Sequence, residues 1–288
     1  MRSVLFILFA IIGNSWPALA APVTFNTALP VSQGETIVRG QVIYGEASGG
    51  GAKFTIKNLA LATGYGVTSK LALFGVIPFA QKRLQTPIAH RQSTGFGDAR
   101  VFARYTMIQR DGRGNTFRIA PFIGAKLPLG ASNRKDQLGR LPQAVQPGSG
   151  TVDGFGGVIM TLANTKWQND TQISFQTNGS ANGFQAGRSF RADTSLQVRL
   201  HDQALTSKKA AYLYAVLEAG IELRARDRLN GSEIAISGAD QINLAPALQL
   251  ATLRWIAEIS FLLPVWQNTN GAAISSDFQT RIGLRINY

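Results

Sequence analysis

The sequence predicts an all-β fold: a single transmembrane antiparallel up-and-down β-barrel of about twelve strands. Three observations predict it. The chain opens on an export leader, and apolar and polar residues alternate with period two from Glu35 to the last residue. The links between the alternating segments are by turns short and long.

The leader comes first. Arg2 gives a positive n-region, residues 4–12 form an unbroken apolar run, and Ala18-Leu19-Ala20 supplies small-x-small, which predicts cleavage before Ala21. The run is far shorter than the ~20 residues of a spanning helix. The expected division is a signal peptide at 1–20, an N-terminal periplasmic segment at 21–34 and the barrel at 35–288.

After the leader, charged or polar residues interrupt every apolar stretch before it reaches the length of a spanning helix. Alternation predicts strands at 35–47, 53–66, 70–81, 97–109, 116–128, 153–163, 167–178, 189–200, 211–224, 240–251, 254–265 and 277–288. In the fifth, Phe117, Ile119, Pro121, Ile123 and Leu127 oppose Arg118, Ala120, Phe122, Gly124 and Lys126. Pro121 removes a ladder donor and marks a local bulge or a misplaced strand. In the seventh, Trp167, Thr171, Ile173 and Phe175 oppose Gln168, Asp170, Gln172 and Ser174. The eighth sets Phe190, Ala192, Thr194, Leu196 and Val198 against Arg191, Asp193, Ser195, Gln197 and Arg199.

The links around Val67-Thr68-Ser69, Asn164-Thr165-Lys166 and Thr252 are tight, and the link at 129–152 is the longest. Short periplasmic turns alternating with longer external loops characterise bacterial barrels. Two links depart from the rule: 47–52 is short for an external loop and 201–210 is long for a periplasmic one. Trp167 and Trp255 begin strands on lipid-facing parity, where an interfacial aromatic girdle is expected.

The last strand sets Ile282, Leu284, Ile286 and Tyr288 against Arg281, Gly283, Arg285 and Asn287. Gly283, Ile286 and terminal Tyr288 resemble the Gly-x-x-apolar-x-aromatic signal read by the barrel-assembly machinery. Ile282 stands where that signal usually has a polar residue. The competing fold, a soluble β-sandwich, predicts regular tight hairpins rather than this loop asymmetry.

Several short motifs carry a family resemblance. They are Asn26-Thr27-Ala28-Leu29-Pro30 with Gly34-Glu35, Gly64-Tyr65-Gly66-Val67-Thr68, Gly97-Asp98-Ala99-Arg100, Lys126-Leu127-Pro128-Leu129-Gly130 and Gln146-Pro147-Gly148-Ser149-Gly150. In this order they resemble the outer-membrane transporter family labelled for the meta-pathway of phenol degradation. Pro-Leu-Gly replaces the usual Pro-Thr-Gly. The resemblance implies a barrel associated with the breakdown of aromatic or other hydrophobic compounds, and implies no catalytic residues.

Composition narrows the chemistry. The absence of cysteine excludes disulfides, thiol nucleophiles and thiolate metal sites. Lys and Arg number 29 against 16 Asp and Glu, but the cations are dispersed along strands behind a leader, which argues against nucleic acid as a partner. Near-zero mean hydropathy suits a barrel whose alternate residues meet lipid.

Catalytic constellations are not visible. His90 is expected in an external loop and His201 in a periplasmic turn, separated by ~30 Å of hydrocarbon. His90-Arg91-Gln92-Ser93 lies in a loop, not on a lipid-facing strand where an outer-membrane acyl hydrolase would need it. Glu218 and Glu222 share a face ~13 Å apart, too far for a glycosidase pair. No metal or cofactor is implied, and Gly49-Gly50-Gly51 reads as a turn.

Parity puts Arg39, Arg100, Arg104, Arg118, Lys126, Arg191, Arg199, Arg224, Arg254, Arg281 and Arg285 in the lumen. Asp98, Asp170, Asp193, Glu218, Glu222 and Glu258 oppose them. Phe102 and Phe122 also point inward, and Ala60, Ala62, Gly64, Gly66, Ala72, Phe74, Val76 and Pro78 form an apolar sector. Two readings stay open for the cations: an anion-favouring passage, or pairing with acids that plugs the interior. Two also stay open for the apolar sector: a slide for hydrophobic solutes, or a surface against which the 129–152 loop packs.

The expectation is an outer-membrane channel passing small amphipathic or hydrophobic solutes, aromatic compounds among them, through a basic lumen. The expected partners are outer-membrane lipid, the assembly machinery and a small-molecule solute. The alternative is a closed structural or ligand-binding barrel acting through its external loops.

Overall fold

A computed structural model describes residues 20–200, 211–252, 254–271 and 274–288. The expected leader, apart from Ala20, and the 201–210 link with His201 lie outside them.

Twelve strands form a closed antiparallel barrel. They are β1 (Thr36–Gly49), β2 (Ala52–Gly66), β3 (Leu71–Thr86), β4, β5 (Asn115–Leu127), β6 (Asp153–Asn164), β7 (Trp167–Thr177), β8 (Ser189–Arg199), β9 (Tyr212–Arg224), β10 (Ala239–Ala251), β11 (Trp255–Asn268) and β12 (Ser275–Asn287). β4 runs in three segments, Ala89–Phe96, Ala99–Tyr105 and Ile108–Gly112. Each strand pairs with its sequence neighbours. The β1–β12 seam, from Ile37–Asn287 to Ser48–Ser275, closes the ring. Closure pairs the strands on both sides, which the hydrocarbon interior of a membrane demands; the upper segment of β4, Ala89–Phe96, is paired with β3 alone.

The register explains the alternation. Val38, Val42, Leu59, Leu61, Ile173, Phe175, Leu217, Ile282 and Leu284 are exposed on the outer face, as are Trp167 and Trp255. Their partners in alternation, such as Ile159, Thr161, Asp170, Ser195, Gln197, Gln249 and Ser260, are buried inside. Exposed apolar and buried polar is the inverse of a soluble domain, and it is what a bilayer outside and a packed lumen inside require.

Pro121 sits in a continuous strand. Its outer neighbour breaks there: Arg104 pairs with Phe122 but Ile108 pairs with Ile119, so β4 carries an extra residue opposite Pro121. The missing N–H of the proline falls where no ladder partner waits for it. The tight β1–β2 link is also explained. Gly49, Gly50 and Gly51 all have positive φ (143°, 57° and 76°), and residues with side chains would strain there.

The largest departure from expectation is at β3 and β4. The expected strands at 70–81 and 97–109, with a loop between, are one tall hairpin reaching from Leu71 to Phe96. His90 stands on β4, paired with Gln85, and not in a loop. Above the lipid both faces are polar, so alternation carries no signal there.

Candidate functional site

The lumen is filled from both ends. From the periplasmic side, the residues ahead of β1 pass up inside the barrel, where Ala20, Val23, Ala28 and Val31 are buried. Glu218 on β9 accepts hydrogen bonds from Val23 N (2.6 Å), Thr24 N (3.1 Å) and Thr24 Oγ1 (2.6 Å). Asp170 accepts one from Thr27 Oγ1 (2.7 Å), and Ala28 N donates to Thr161 Oγ1 (2.8 Å). Arg104 donates to the carbonyls of Thr27 and Leu29 and to Asn26 Oδ1. Gln249 brackets Ala21, accepting from its N–H and donating to its carbonyl.

The wall is shaped for this segment. A Cβ on Gly66 would lie 2.0 Å from Ser32 O, so only glycine admits the chain there. Arg39 on β1 reaches Glu258 on β11 (Nη2–Oε1 2.6 Å) and also donates to the carbonyls of Pro22 and Val23. A Cβ on Gly283 would lie 2.4 Å from Glu258 Oε1. The glycine singled out in the terminal motif therefore makes room for this ion pair.

From the external side, the 129–152 loop folds over β3 and β4. Lys82 Nζ donates to Gln146 O (2.7 Å) and Ser93 Oγ to Val145 O. The buried Gln146 amide is tied to Arg134 and Leu141. Asp98 accepts from Gly130 N (3.1 Å), Ser149 N (2.8 Å) and Ser149 Oγ (2.6 Å). Lys126 stands between Asp98 (3.6 Å) and Asp153.

Between these two fillings lies an aromatic cluster with arginines at its ends. Phe74 and Phe102 stack at 4.7 Å between centroids, and Phe102 meets Phe122 and Phe155 edge-on at 6.1 Å each. Arg104 lies over Phe74 at 4.9 Å and Arg100 over Phe155 at 4.8 Å. Glycine again makes the space: a Cβ on Gly124 would lie 2.4 Å from Phe102 Cβ and 2.7 Å from Phe155 Cζ. Arg100 is hydrogen-bonded to the amide of Gln176 and has no carboxylate within ion-pair distance among the described residues.

The opposite wall carries Arg281, bonded to Gln279 (2.8 Å), and Arg285, bonded to Asn287 (3.0 Å). Among the described residues neither has a carboxylate within ion-pair distance. Arg191 pairs with Asp193 (3.0 Å) and Arg118 with Asp111 (3.1 Å) beside the periplasmic turn.

Arg39, Arg100, Arg104, Arg118, Lys126, Glu258, Arg281, Arg285, Phe102 and Phe122 thus all face inward by register. Arg254 does not. It lies exposed in the turn before β11, which starts one residue later than expected because Thr252 closes the turn onto Trp255. Phe155 was missed, although the parity that found Phe122 also points it inward. The segment expected to be periplasmic, 21–34, instead has Val23, Ala28 and Val31 buried inside the barrel; with neither helical nor strand periodicity, its sequence gives no sign of that.

A family profile described as "Putative MetA-pathway of phenol degradation" matches residues 30–274. No curated protein sequence matches the chain. Among solved structures, an outer-membrane channel from Pseudomonas putida F1 superposes with a TM-score of 0.68 at 14% identity, covering 94% of this chain and 100% of that one. The β domain of the Bordetella autotransporter BrkA gives 0.50 at 12% identity, covering 87% and 98%. At these identities the likeness is one of fold.

Proposed function

We propose, for a chain that belongs to the family described as "Putative MetA-pathway of phenol degradation", that this outer-membrane barrel is a channel for small amphipathic solutes, aromatic anions above all. One observation carries the reading. Arg100 caps a cluster of four lumenal phenylalanines, and Arg281 and Arg285 face the lumen without carboxylate partners among the described residues. A ring with an anionic substituent finds apolar faces and a guanidinium at matching separation. Uncompensated charge in a narrow passage focuses the field towards anions.

The internal segment makes the periplasmic half of the passage narrow, so conduction proceeds past or upon displacement of residues 20–32. The test is single-channel recording of refolded residues 21–288 in a planar bilayer. Anion-selective steps that benzoate blocks are expected. Cation-selective steps, or steps that benzoate leaves unchanged, would refute the solute class.

A second reading is a closed barrel that binds ligands through its loops, and the filling of the lumen from both ends favours it. Deleting 131–150 separates the two: conductance changes in a channel, whereas a closed barrel stays silent. In either case we propose that the exposed Tyr288 edge, hydrogen-bonded to Thr36 at the seam, is what the assembly machinery reads.

A further inference from the structure

Among the described residues, all but one of the outward-facing cations on the strands gather at one place on this barrel. By register, β5 to β12 carry no Lys or Arg on the outer face among the described residues. Lys53 and Lys57 on β2 and Arg83 on β3 do face outward, and all three are exposed. They stand towards the external end of their strands. The other outward arginine, Arg110, is at the periplasmic end of β4.

The three cations are close together. Thr55 pairs with Arg83, and Lys57 with Gln81, so Arg83 is the diagonal neighbour of both lysines, ~7 Å away. Glu46 takes up Lys53 (2.9 Å) and hydrogen-bonds Tyr44. Lys57 and Arg83 have no such partner among the described residues. Across β3, Gln92 pairs with Arg83 and His90 with Gln85. A recess of about 290 Å³ opens there, lined by Arg83, Gln85, His90, Arg91 and Gln92. Arg91 itself is committed to Asp136.

The apolar belt begins directly below. Leu59, Leu61, Phe79 and Phe96 are exposed on the same face, with Phe79 and Phe96 edge-to-face at 5.1 Å. The cations therefore lie at the level where acyl chains give way to headgroups. A lipid whose chains cover Phe79 and Phe96 places its first polar groups against Lys57 and Arg83.

We propose that this face is a docking site for the phosphates of an outer-leaflet glycolipid. Arg83 supplies a fork that matches phosphate geometry, Lys57 a point charge beside it, and Gln92 and Thr94 donors for sugar hydroxyls. The inference rests on the membrane placement of the barrel and not on what passes through it.

Native mass spectrometry of the folded chain, mixed with bis-phosphorylated lipid A or with the same lipid stripped of phosphate, tests it. The wild-type chain is expected to retain the phosphorylated lipid and to lose the stripped one. Lys57→Gln with Arg83→Gln should bind about thirty-fold more weakly, while Arg110→Gln should bind as the wild type does. Equal retention of both lipids by the wild type, or equal binding by the double variant, would overturn the proposal. The wild-type comparison decides alone if the double variant fails to fold.

Discussion

Replacing Glu218 by alanine should release the internal segment. Its carboxylate, 3% exposed, accepts three hydrogen bonds from Val23 and Thr24. Buried bonds to a charged group each contribute roughly 1.5–3 kcal/mol. Water admitted to the gap recovers part of that, so ~1 kcal/mol per bond is a conservative loss. The three together give ~3 kcal/mol, or about a hundred-fold shift towards the displaced segment. The other anchors on Thr27 and Ala28 remain, so the segment should leave and return rather than unfold. In single-channel records the time spent in the larger-conductance state should rise about a hundred-fold. Glu222→Gln serves as the control, because Glu222 shares the inner face of β9 and, among the described residues, makes no bond to the segment. Unchanged dwell times in Glu218→Ala, or the same change in both variants, would refute the reasoning.

Arg281→Gln with Arg285→Gln should lower the anion-to-cation permeability ratio measured by reversal potential under a salt gradient, with the barrel still heat-modifiable on gels. Asp98→Ala removes three bonds that hold Gly130 and Ser149. By the same arithmetic it should open the 129–152 loop about a hundred-fold more often, read as faster tryptic cleavage at the exposed Lys135 and Arg140. Gly124→Val drives a side chain into Phe102, Phe155 and the Val101 carbonyl. Overpacking of that kind costs typically 1–3 kcal/mol, which should appear as a lower urea midpoint together with weaker benzoate block.

Much of this architecture is legible in the sequence because the bilayer forces alternation. Wherever one face meets lipid, as in Phe190–Val198 or Ile282–Ile286, parity alone orients every side chain. Alternation is lost where that constraint lapses. Residues 82–94 rise above the lipid, polar side chains fall on both faces, and two strands looked like a loop. Residues 20–34 meet only the lumen, so nothing periodic marks them. The candidate site was half legible. Parity found Arg100, Phe102 and Phe122, but cannot say which charges meet. Arg39 with Glu258 joins the first strand to the eleventh, and Glu218, expected to oppose the lumenal cations, accepts from the backbone amides of Val23 and Thr24.

The reach of those contacts has a consequence for how the molecule is made. Arg39 and Glu258 are 219 residues apart in the chain, and Val23 and Glu218 are 195 apart. Contacts of such sequence separation form late, since the entropy of closing the intervening chain must be met before they return anything. The first strand thus waits with an unpaired guanidinium until the ninth and eleventh have arrived. A growing or truncated chain that stops short of β9 has no acceptor for residues 23 and 24 and no counter-ion for Arg39. The ring and its contents therefore reach stability in one step, so partial barrels are transient species rather than resting points on the way to the finished molecule.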